Sequence, residues 1–183
     1  MHYVAICIPL PIQQNVDGSD FFNRSWEEFR VGFNDTRGNY WLGNELLRQL
    51  TINGRYKLRF DLQARNGSWY YADYSRFVVF SEALNYKVVT SGYSGNAGDA
   101  FQWHNNMMFT TYDRDNDRWA NNNPSYRNNC AVYNGGAGFW YEHEGSCSSA
   151  SVNVARDQGD DFKWWSESRG YFALQTSRMW LVC

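Results

Sequence analysis

From Ser91 to Gly159 the chain is rich in Gly, Asn, Asp and Ser and carries little hydrophobic periodicity. So long a stretch without regular structure of its own is uncommon inside a domain, and something other than ladder hydrogen bonds has to hold it. Two staples lie within it: an acidic cluster, Asp113-Arg114-Asp115-Asn116-Asp117, and a cysteine pair, Cys130 and Cys147. Irregular backbone, pinned at a few points, must therefore form a large part of this fold.

The flanks are more regular. Ser25-Trp26-Glu27-Glu28 is a capping box, in which the serine accepts from the amide three residues on and the glutamate reaches back. With Gly32 as a stop, it predicts a short helix over about 26–31. A second helix is predicted over Asn44 to Leu50, ended by Asn53-Gly54. The period then becomes two: Tyr56, Leu58, Phe60 and Leu62 alternate with Lys57, Arg59 and Asp61, the pattern of a half-buried strand. Trp69–Tyr74, Arg76–Phe80 and Tyr86–Thr90 read as further strands joined by polar turns, and Gly170 to Val182 returns to apolar residues that can rejoin the sheet. The fold class is α+β, a twisted antiparallel sheet with short helices plus a loop-rich C-terminal part.

With 183 residues, 43% hydrophobic and 20% charged, the chain fits one globular domain. Its net charge of −2 and lack of a basic stripe argue against nucleic acid, and no apolar run reaches the ~20 residues of a membrane span. Aromatic residues reach 19%, enough either to fill a core poor in aliphatic runs or to offer flat faces to sugar rings. The four cysteines form no C-x-x-C, and their even number allows Cys130–Cys147 and Cys7–Cys183 bridges. Sequons at Asn23, Asn34 and Asn66 lean with them toward an oxidising, secreted setting. Residues 1–11 are an atypical segment and a poor signal peptide, having no basic n-region and no small-x-small site.

The catalytic motifs are weak. His2, His104 and His143 form no H-E-x-x-H, and Gly92-Tyr93-Ser94-Gly95-Asn96 misses the last glycine of a nucleophile elbow. No two carboxylates are marked as a glycosidase pair, so no enzyme is expected. Three carboxylates at alternating positions in Asp113 to Asp117 can converge on one hard cation, which takes six to eight oxygens. The run is no EF-hand, with Arg118 at the sixth position and Pro124 at the twelfth; it can equally be a solvated acidic loop or a set of Asx-turns.

Several stretches together resemble the fibrinogen C-terminal domain family. They are Asp17-Gly18-Ser19 with Trp26-Glu27-Glu28-Phe29, Tyr40-Trp41-Leu42-Gly43-Asn44-Glu45, Tyr56 to Leu62 and Tyr86-Lys87. Gly92 to Asp99, His104-Asn105-Asn106-Met107-Met108-Phe109, Asp113 to Asp117 and Asn129-Cys130-Ala131 follow in the same order. The resemblance implies a fibrinogen-like domain over 12–183: a sheet part over about 12–90, a loop-rich calcium and ligand part over about 91–170, and a return strand over about 171–182. It implies calcium ligation by Asp115, Asp117 and the main-chain carbonyl of Trp119, with Asp113 supporting the loop. It also implies a Cys130–Cys147 disulfide, worth about 3 kcal/mol in the chain-entropy model, and a cis peptide at Asn129–Cys130.

The same resemblance suggests a secreted, calcium-dependent lectin-like domain for acetylated or microbial glycans in innate defence, as in ficolins and tachylectins. The alternative is a protein-binding domain of adhesion or signalling. Candidate contacts with a glycan or glycoprotein are Tyr133, Asn134, Phe139, Trp140, Tyr141 and His143. The sequence departs from the lectins at Ser148, where they carry histidine, at Val154-Ala155 in place of Tyr-Ala, and in the longer loops 119–128 and 130–147. Such lectins gain affinity by clustering, so a homo-oligomer is a further expectation.

Overall fold

A computed structural model describes residues 8–120, 123–142 and 147–183. Its centre is an antiparallel sheet in the order β2-β3-β1-β8-β4-β5-β6, with β7 paired to β8. The strands are β1 Leu10–Asn15, β2 Phe33–Asn34, β3 Tyr40–Trp41, β4 Lys57–Ala64, β5 Trp69–Val79, β6 Val88–Gly95, β7 Lys163–Ser166 and β8 Gly170–Val182. The last strand is therefore central. Leu181 lies opposite both Leu10 and Leu58, and Met179 opposite both Gln13 and Phe60.

Period two does what it predicts. Leu58, Phe60 and Leu62 are buried, and their neighbours Arg59 and Asp61 face the other side. Each such apolar side chain contributes roughly 1.5–3 kcal/mol on burial. The helices α1 Trp26–Val31 and α2 Asn44–Thr51 stand where the capping box and the periodicity placed them. In α1 both reciprocal bonds of the box are made, Ser25 N–H to Glu28 Oε2 at 2.8 Å and Glu28 N–H to Ser25 Oγ at 3.4 Å. Gly32 (φ 95°) and Gly43 (φ 106°) let the end of α1 and the entry to α2 touch: a Cβ on Gly32 would lie 2.5 Å from the Leu42 carbonyl oxygen.

Three boundaries differ from expectation. Trp69 to Val79 is one strand with no turn at Ser75, because β5 pairs with β4 along its first half and with β6 as far as Val79. Strand β6 starts at Val88 instead of Tyr86, since Tyr86 has φ 48° and buries its ring against Trp26, with centroids 5.5 Å apart. It also runs on to Gly95, into the stretch read as loop. Beyond Gly95 that stretch is irregular apart from 3₁₀ turns and the short helix α3, Cys130–Tyr133.

Side chains fasten this irregular half to the sheet. Gln13 Nε2 donates to the Val152 carbonyl and to Asn153 Oδ1, both at 3.1 Å, and Asn153 Nδ2 donates to the Gly138 carbonyl at 2.9 Å. His104 spans two more segments, with Nδ1 at 2.6 Å from the Trp140 carbonyl and Nε2 accepting from Ala150 N–H at 3.1 Å. Buried loop backbone needs partners of this kind, because no ladder supplies them.

Candidate metal-binding loop and recognition surface

The acidic run splits into two pairs of side chains. Asp113 Oδ1 accepts from Trp26 N–H at 2.9 Å and from Thr111 Oγ1–H at 2.7 Å, so it fixes the loop to the first turn of α1. Arg114 lies 3.9 Å from the Trp26 ring centroid and donates to Glu82 Oε1 and Asn85 Oδ1. Among the described residues, Asp115 Oδ1 accepts the Asp117 amide alone, at 3.2 Å. Asp117 accepts Trp119 N–H on one oxygen and Cys130 N–H on the other, each at 2.9 Å, which joins the loop to the disulfide.

Neither Asp115 nor Asp117 forms a salt bridge among the described residues. Burial, with a smaller contribution from the charge of Asp115, pushes the Asp117 carboxyl up to about 6 against the pull of its two amide donors. Asp115 is also raised, by burial. A half-buried Asp117 beside an exposed Asp115 of like charge forms a donor pair that suits a hard cation. No three His, Cys, Asp or Glu side chains converge as a metal group among the described residues. Calcium would complete its shell from main-chain oxygens and water, the Trp119 carbonyl among those expected.

The Cys130–Cys147 disulfide is formed, with Cα atoms 5.5 Å apart. Cys183 is not a free thiol, and Cys7 lies outside the described residues. The Asn129–Cys130 peptide is trans, contrary to expectation: no described bond is cis. Asn129 is extended here and caps α3, its Oδ1 accepting from Val132 N–H at 3.0 Å.

The expected sugar-facing rings are mostly interior. Asn134, Phe139, Trp140 and Tyr141 are only 1%, 2%, 0% and 1% exposed. Phe139 exchanges both backbone bonds with Thr110, which draws 139–141 beneath the loop and into the main core. Trp140 Nε1 donates to the Tyr86 carbonyl at 2.7 Å, and the Tyr141 hydroxyl donates to the Ala137 carbonyl. Asn134 is taken up by Asp160, whose N–H it accepts at 2.6 Å. A side chain so enclosed offers no face to a sugar, which corrects the expected contact surface at these four positions. His143 lies outside the described residues. Ser148, Val154 and Ala155 are buried as well.

What the surface does carry is a ring cluster that the sequence reading passed over. Trp119, Tyr126 and Tyr133 are half-buried, with centroids 5.2 Å apart for Trp119–Tyr133, 5.0 Å for Tyr126–Tyr133 and 6.2 Å for Trp119–Tyr126. Trp119 and Tyr126 come from the lengthened loop and Tyr133 from α3, so no sequence spacing marks them as neighbours. Of the residues expected to contact ligand, Tyr133 alone is both described and partly exposed.

A family model for the C-terminal globular domain of fibrinogen beta and gamma chains matches residues 10–181. Human angiopoietin-related protein 2 is 38% identical over 166 residues, covering 87% of this chain and 31% of that protein. Fibrinogen-like protein A of Apostichopus parvimensis is 38% identical over 143 residues, covering 77% of this chain and 47% of that protein. The chain thus spans a third to a half of the length of these relatives. The fibrinogen-like globe domain of human ANGPTL2 superposes with a TM-score of 0.80 at 36% identity, over 94% of this chain and 79% of that one. Lamprey fibrin D-dimer, complexed with the peptide ligand Gly-His-Arg-Pro-amide, gives 0.75 at 28% identity, over 94% and 60%. With its sheet, its disulfide and its sequence in agreement, the chain belongs to the fibrinogen C-terminal domain family.

Proposed function

We propose that this chain is an extracellular, non-catalytic recognition domain that binds a peptide segment of a partner protein at the Trp119–Tyr126–Tyr133 cluster. One observation carries the reading: these rings are partly exposed beside Asp117 and Cys130, while the other rings expected to meet a ligand, Phe139, Trp140 and Tyr141, are interior. Aromatic side chains are enriched among the residues that dominate protein interfaces. The similar lamprey structure holds a peptide. The disulfide fits an oxidising compartment.

Calcium belongs to the same proposal. Bound through Asp115, Asp117 and the Trp119 carbonyl, it would supply the positive charge that these carboxylates lack and stiffen the loop. A stiffened loop loses less freedom on binding, so modest contacts become affinity. The test is a peptide-library screen and a glycan array, each run with calcium and with chelator. Peptides should be captured with calcium, lost with chelator, and lost in Trp119→Ala and Tyr126→Ala. Glycan capture without peptide capture would replace this reading by the lectin one.

A further inference from the structure

We infer that a second site, separate from the aromatic cluster, binds a tetrahedral oxyanion, namely a sulfate or phosphate group. A cavity of about 410 Å³ opens between the 82–84 turn, the 105–109 segment and Arg118. Ligand sites commonly occupy about 300–1,000 Å³. Lys87 and Arg118 line it together with Asn85, Asn106, Leu84 and Met108, and no carboxylate does. Lys87 and Arg118 thus bring two like charges to one cavity. Their repulsion is relieved by a bound anion.

Neither cation is ion-paired among the described residues. The Lys87 ammonium rests 5.2 Å from the Phe80 ring centroid. The nearby Glu82 is already engaged by Trp26 Nε1 at 2.7 Å and Arg114 at 3.2 Å. The Asn106 side chain is exposed, and its amide donates to no partner among the described residues.

The frame is built before any ligand arrives. Asn106 N–H donates to the Val88 carbonyl at 2.9 Å, Val88 N–H to Met107 at 3.0 Å, and Phe109 N–H to Asn85 at 2.9 Å. Asn85 (φ 51°) and Asn106 (φ 66°) both hold left-handed backbone, which asparagine tolerates better than most residues. An ammonium, a guanidinium and an amide brought in by separate segments suit a group with three or four acceptor oxygens better than a planar carboxylate with two.

Binding is read by amide chemical shifts of the folded, oxidised chain at constant ionic strength, titrating sodium sulfate against sodium chloride. Saturable shifts at Lys87, Asn106 and Arg118 with sulfate, and none with chloride, are expected. Lys87→Gln and Arg118→Gln should each weaken binding about ten-fold or more, the usual effect of losing a charged hydrogen-bond donor. Their near-ultraviolet dichroism should match wild type, as the two backbones are untouched. Glucosamine 6-sulfate binding more tightly than inorganic sulfate would identify a sulfated sugar as the source, and equal binding a free anion. An adventitious ion only, shown by shifts that chloride reproduces or that survive both substitutions, overturns the site. Tighter binding of a hexaglutamate peptide at the same residues also overturns it. Trp119→Ala should leave sulfate binding unchanged, so this site and the peptide surface fail independently.

Discussion

His104 is fully buried, stacked on Phe101 with centroids 5.3 Å apart, and both its ring nitrogens are engaged. The geometry fixes the neutral form: Nδ1–H donates to the Trp140 carbonyl, and Nε2 must stay bare to accept the Ala150 amide. Burial accordingly lowers its pKa from the usual 6.5 to about 4. Between those values the unfolded chain binds a proton that the folded chain refuses. The stability this group supplies is whole above pH 6.5 and is lost as pH falls toward 4. The loss is of the order of 3 kcal/mol, at ~1.4 kcal/mol per unit. His104→Gln, neutral at every pH, should lack this slope in urea melts between pH 6.5 and 4. A His104 ring signal titrating near 6.5 in the folded protein would sink the argument. The sequence placed His104 in a stretch shared with the family but in no catalytic motif; its bridge between residues 140 and 150 depends on long-range packing that no local pattern encodes.

Among the elements, α1 shows how a local signal and a distant one combine. Its capping box was legible in four residues, but its first amide, Trp26 N–H, is satisfied by Asp113 from the acidic loop. Ser25→Ala should cost about 1 kcal/mol, and Asp113→Asn about 1.5–3 kcal/mol, since a charged acceptor is lost. If the calcium proposal holds, Asp113→Asn still gains melting temperature on adding calcium, while Asp115→Asn and Asp117→Asn do not. Loss of the calcium response in Asp113→Asn alone would reverse these roles. The helices and the alternating strand β4 were readable because propensity, caps and burial agree there. The segment 137–141 was not, because rings on irregular backbone read the same whether they face solvent or core. Only the backbone exchange of Phe139 with Thr110 decides the matter. The Trp119 cluster escaped for the converse reason, being assembled from a loop and a helix whose meeting is tertiary.

At the scale of the whole molecule, the chain closes on itself through its last strand. Strand β8 separates β1 from β4, and these two partners lie more than a hundred residues earlier in sequence, unlike the adjacent β7. Until residues 177–182 are in place, β1 and β4 both present unpaired edges, and Leu58 and Phe60 lack their neighbours Met179 and Leu181. Loop-closure entropy must be met before such pairing is rewarded, so folding should be slow for the chain's size, in the milliseconds-to-seconds range or beyond. Leu181→Ala, at a fully buried position between two strands, should cost about 2–5 kcal/mol. Chains ending at Thr176 would lose both buried side chains and the central ladder together. Such a chain should show no cooperative thermal transition and should aggregate through its open edges. A truncated chain that stayed soluble and melted cooperatively near the wild-type temperature would show that β1 and β4 can close the sheet without β8. The terminal strand would then be an addition to the fold instead of its keystone.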